Sequence, residues 1–178
     1  MGIALMLPIL SKFVYYLTKF ISKRKQVSID GPIYLDDSKI SYTNASIDAI
    51  KNETKHLYDN ALSIIVHSIG FDRGQIRSFE PIETLLKDKT ILKDDIDIDT
   101  LYEEKIKLLS NAIMEFTAKA KAYIGDEEKI KEIFRLQIAA KNIVEATKHM
   151  RLIQKNLQKY SLSSYKSLSN EYDNMRAM

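Results

Sequence analysis

Between positions 44 and 69 apolar and small residues recur in alternating steps of three and four: Ile47, Ile50, Thr54, Leu57, Ala61, Ile64 and Ser68, with Tyr58, Leu62 and Ile65 widening the stripe on one side. That period holds them on one face of an α-helix, with Thr43 or Asn44 as a plausible N-cap. A second run over 100–124, the clearest in the chain, places Tyr102, Ile106, Leu109, Ile113, Phe116, Ala120 and Tyr123 on one seam. A third, over 127–160, does the same with Ile133, Leu136, Ala140, Ile143, Thr147, Met150, Gln154 and Leu157. Gly125 ends the second helix and Asp126 caps the third, and a turn this short makes the two antiparallel neighbours. In "EPIETLLKDK" a short helix is predicted, with Pro81 in a permitted first-turn position and Glu83 near the positive end of the dipole. Residues 161–178 begin a further helix with no stop signal, so the chain is expected to be a piece of a longer protein.

Helices of roughly 25 to 35 residues are ~37 to 52 Å long. They cannot shelter their stripes alone, so the expected fold is all-α, an antiparallel bundle of long helices driven by burial of the seams at about 1.5 to 3 kcal/mol per large side chain. Thr54 and Thr147 interrupt the seams and are expected to help fix register. Five glycines and three prolines in 178 residues leave few breakers for a β-rich alternative.

Ahead of these helices, residues 3–22 form an apolar stretch of about 30 Å if helical, close to the thickness of a hydrocarbon core. Its polar residues fall on one face (Ser11, Lys12, Thr18, Lys19, Ser22, Lys23) and Leu7, Leu10, Phe13, Val14, Leu17, Phe20 and Ile21 on the other. The segment is amphipathic and either spans a membrane or lies on it. Charge follows the apolar run, in Lys23, Arg24 and Lys25, which is the reverse of a signal peptide and places the rest of the chain on the cytoplasmic side. Membrane attachment is assigned to Phe13, Leu17, Lys19, Phe20, Lys23, Arg24 and Lys25. Three parts follow: a membrane-proximal or transmembrane helix at 1–25, an extended linker at 26–42 around Gly31 and Pro32, and the bundle at 43–178.

Candidate chemistry is sparse. No phosphate-binding loop, serine elbow or zincin helix occurs. Glu53 and His56 have the Glu-x-x-His spacing that carboxylate-bridged bundles use for metals, with Glu145 and His149 as a looser second pair; solvated helix faces are the more economical reading. His67 carries no assigned role. The aspartates 94, 95, 97 and 99 lack the glycine and closing glutamate of a calcium loop and read as a helix-leading acidic run. Tyr102 and Tyr123 are placed in the core, and Tyr15 and Tyr16 at a membrane interface. The absence of cysteine excludes disulfides and thiolate metal sites, and a net charge of +3, from 27 basic and 24 acidic residues, does not imply nucleic acid. No catalytic, cofactor-binding or metal-binding residue is assigned.

Taken together, "LMLPILSKFVYYLTKFI", the linker "PIYLDDSKI", the helix start "NASIDAIKNE" and the stretch "NIVEATKHMRLIQKNLQKY" resemble the carboxy-terminal region of sodium/phosphate cotransporter family proteins. In that family a last transmembrane helix leads into a PhoU-like helical domain. The resemblance implies a non-enzymatic regulatory domain at the cytoplasmic face of the cell membrane, partnered by the membrane or by a transporter's transmembrane part. A further protein, or a second copy of this chain, is a possible occupant of the exposed helix faces. The acidic metal-binding motif of PhoU proteins is not matched at Val144 to His149, so no ligand carries over. Two other classes stay open from the residues alone: a carboxylate-bundle metal-binding protein, and a soluble helical adaptor whose first helix docks in a partner's groove.

Overall fold

The computed structural model describes residues 31–78, 80–93 and 97–178, and all the regular structure among them is helical. The residues assigned to membrane attachment, Phe13, Leu17, Lys19, Phe20, Lys23, Arg24 and Lys25, lie outside the described residues. Among the described residues no helix is long and apolar enough to cross a membrane.

Helix α1 (Thr43–Ser68) is followed by two short helices, α2 (Arg73–Arg77) and α3 (Ile82–Lys87). After a 3₁₀ turn at Ile91–Lys93, α4 (Ile98–Leu101), a π-helical turn (Tyr102–Ile106) and α5 (Lys107–Lys121) form one continuous rod. Helix α6 (Glu127–Ser161) is the longest, and α7 (Lys166–Ala177) closes the described chain.

The seams set the packing. Every residue of the α1 stripe from Ile47 to Ser68 is buried, and Tyr102, Ile106, Leu109, Ile113, Phe116 and Ala120 are buried opposite it. On α6 the residues seven apart, Ile133, Ala140, Thr147, Gln154 and Ser161, are buried, while Leu136, Ile143 and Met150 pack half-buried against the same core. Helix α1 makes its most extensive contact with α6. Lys129, early in α6, bonds Asn44, early in α1, whereas Arg151, late in α6, meets Asp99 in α4 at 3.0 Å. The three rods therefore run up, down and up, with the middle one antiparallel to both neighbours.

Several details depart from the sequence reading. The N-cap of α1 is Tyr42, with no side-chain cap bond; neither Thr43 nor Asn44 caps it. Tyr58 is 50 % exposed and Tyr123 59 % exposed. Tyr123 leaves the seam because the helix ends at Lys121, and Ile124, buried in the turn, takes the core position instead. Toward its start the α1 stripe widens on the side opposite to Tyr58, through Ser46, Ala49 and Glu53, and toward its end on the side of Tyr58, through Val66 and half-buried Leu62. Thr54 and Thr147 bond carbonyls of their own helices, to Ile50 at 2.8 Å and to Ile143 at 3.0 Å, so their hydroxyls are satisfied without reaching a partner helix. The π turn absorbs two successive four-residue steps, Ile98 to Tyr102 to Ile106: its wider turn cancels the drift that would carry Ile106 off the seam.

Other local expectations match. Asp126 accepts from the amides of Glu128 and Lys129, and Glu83 lies in the first turn of α3. Asp97 caps α4 through the Thr100 amide. Gly70 adopts φ +83°, and a Cβ there would stand 2.5 Å from Leu92 Cγ. That left-handed turn sends the chain from α1 toward α2.

Candidate functional site

The most unusual side chain in the bundle is Glu53, which has no exposure at all. A carboxylate taken out of water is costly unless donors surround it. Here the donors come from the segment before α1. The Ile33 and Tyr34 amides donate to Glu53 Oε2 at 2.9 and 2.7 Å. His56 Nδ1, one turn along the helix, lies within hydrogen-bond distance of Oε1, 2.8 Å away. The Tyr34 ring meets the His56 ring edge-on, with centroids 6.3 Å apart.

Residues 31–42 consequently form a strap folded back along α1. Glu53 is ten residues into a helix that begins at Thr43, about 15 Å from its start at 1.5 Å per residue. From there the strap returns toward that start through a 3₁₀ turn at Asp37–Lys39, capped by Asp36, whose side chain accepts from the Ser38 amide at 2.9 Å. That backbone hydrogen bond, with a second bond to the Ser38 side chain, holds the Asp36 carboxyl below its ordinary range. Leu35 and Ile40 pack on the bundle core. Asp37 approaches Lys119 of α5 at 3.9 Å. The Lys119 ammonium is held above its ordinary range first by its hydrogen bond to Glu115 and then by the Asp37 charge. Side chains of Ile33 and Tyr34 point outward, 63 % and 41 % exposed, so the first part of the strap is fastened chiefly through its backbone.

The structure does not assemble Glu53, His56, Glu145 and His149 into one cluster. Glu145 pairs with Lys148 at 3.4 Å on α6 and His149 is exposed. Among the described residues no group of three or more metal-ligating side chains is placed to hold an ion. His67 is half-buried in the last turn of α1.

A second polar assembly, which the sequence patterns did not point to, closes the other end. Arg176 has a fully buried side chain; its Nε donates to Ile69 O at 2.8 Å, Nη1 to Asp173 Oδ1 at 2.9 Å and Nη2 to Gly70 O at 3.4 Å. Its guanidinium lies 4.8 Å over the Phe71 ring. The carbonyls left open at the end of α1 thus receive a cationic cap from a residue 107 positions away. Lys89 caps α6 in the same manner, donating to Ser161 O at 2.7 Å, Ser169 Oγ at 2.9 Å and Asp173 Oδ2 at 2.7 Å. Asp173 joins the two cations. Both assemblies position chain segments.

Set against known proteins, the chain matches no family model, no curated protein and no solved structure.

Proposed function

We propose that this chain is a regulatory helical domain working at the cytoplasmic face of the cell membrane beside a sodium-dependent phosphate transporter, held there by residues 3–22. The observation that carries this reading is the strap that the bundle fastens at Glu53, after a sequence segment whose apolar and polar residues fall on opposite faces if it is helical. The PhoU-like resemblance of the sequence supports the choice of transporter. Regulation is thermodynamic: a bundle beside a transporter shifts its conformations only to the extent that it touches them unequally. The exposed faces of α1, α5 and α6 supply the contact surface, and Lys23, Arg24 and Lys25 supply attraction to anionic headgroups.

Two measurements test this. Full-length chain should float with vesicles containing anionic lipid, and Leu17→Glu with Phe20→Glu should leave it in the unbound fraction; equal recovery of both proteins below the vesicles removes membrane attachment. In vesicles carrying a sodium/phosphate cotransporter, added chain should change sodium-dependent phosphate uptake, and the double variant should not. Uptake indifferent to the chain removes the transporter from the account.

A further inference from the structure

We infer that Glu53 sets the reach of the N-terminal segment, with residues 31–34 acting as a strap that has a fastened and a released length. The inference rests on the attachment reading above, because reach matters only if something upstream of Gly31 is held.

The strap is fastened in two unequal ways. Leu35 and Ile40 pack half-buried against the apolar core, and Asp36 caps the turn that follows. Residues 31–34 contribute exposed or half-exposed side chains and are tied down by two amide bonds to one buried carboxylate. Removing that single acceptor frees the chain as far as Tyr34 without disturbing the seams of α1, α5 or α6. Four residues released at about 3.3 to 3.6 Å each add roughly 13 to 14 Å to the tether. Fastened, the tether leaves from the flank of α1 and draws the bundle close to whatever the segment holds; released, the bundle is free to move away. The same carboxylate uses the Glu-x-x-His spacing for the latch: His56 meets the second oxygen while the first takes the strap.

The test uses the full chain. Amide exchange measured by NMR should show Ile33 and Tyr34 protected, with Glu53→Ala raising their exchange about ten- to a hundredfold, the loss expected for hydrogen bonds to a charged acceptor. Glu53→Gln, which keeps one acceptor oxygen, should fall in between. Ile33→Pro deletes one of the two donors and leaves the buried carboxylate in place, so it should raise exchange at the Tyr34 amide by loosening the strap even if Glu53→Ala fails to fold. The chain has no cysteine, so a dye on Lys141→Cys, an exposed site on α6, can report transfer to acceptor lipids in vesicles of phosphatidylcholine and phosphatidylglycerol. Glu53→Ala and Ile33→Pro should float as fully as the parent with lower energy transfer. Unchanged amide exchange in both variants overturns the latch. Released amides with unchanged transfer overturn the control of reach. A parent chain that does not float overturns the attachment, and with it the reach, while the amide result still decides the latch.

Discussion

The two ends of this bundle are closed by opposite chemistry. At the end where α5 turns into α6, Ile47, Ile50, Phe116, Ala120, Ile124 and Ile133 belong to one apolar cluster. At the other, a small cluster of Val66, Phe71 and Leu85 is supplemented by Arg176, Asp173 and Lys89, which cap the carbonyl ends of α1 and α6. Apolar burial is non-directional and tolerates repacking, whereas a buried charged network fails when one partner is missing. The first end should therefore carry the global stability and the second should control whether α7 stays docked.

Substitutions in the apolar seam and at the α7 end sharpen that contrast. Leu57→Ala, at a fully buried seam position, should cost about 3 to 5 kcal/mol in urea unfolding and shift every probe together. Arg176→Ala leaves Asp173 and two backbone carbonyls short of their donor, so the docking of α7 should weaken by about 2 to 4 kcal/mol. Its signature is rapid amide exchange over 166–177 with the seam amides still slow. Were its unfolding as global as that of Leu57→Ala, the two ends would be one cooperative unit. Gly70→Ala forces a Cβ into the left-handed region and toward Leu92, and should cost about 1 to 3 kcal/mol, read by the same unfolding curves.

The smallest effect is set by pH. Hydrogen bonds from Thr90 hold the Asp88 carboxyl below its ordinary value of 3.8, as those from Ser38 do for Asp36. A carboxyl with a depressed folded-state value contributes stability that is complete above its unfolded value and lost as pH falls through the folded one. Both groups are exposed, so Asp36→Asn and Asp88→Asn should only slightly flatten the acid limb of the stability curve below pH 3.8.

The same contrast explains what the sequence revealed. The α1 stripe, Tyr102 through Ala120, and the α6 positions seven apart were legible because a helical period states directly which residues share a face. Tyr123 was misplaced because periodicity does not say where a helix stops, and Ile124 competes for the same space. Glu53 was visible as half of a Glu-x-x-His pair, yet its role was not: the donors that satisfy it are backbone amides 19 and 20 residues upstream. The small residues Ser46 and Ala49 on the same side are the trace in the sequence that could have marked that flank as covered. Arg176 left no trace, since a helix-terminal cation capping a helix 107 residues away has no local pattern.

Residue-resolved native-state hydrogen exchange on the full chain tests the division between the two ends most directly. The account predicts the slowest amides around Leu57, Leu109, Ile113 and Ala140, with α2, α3 and α7 opening earlier and as a group. Amides of α7 exchanging as slowly as those of the seams, or exchange uniform along the chain, would contradict it.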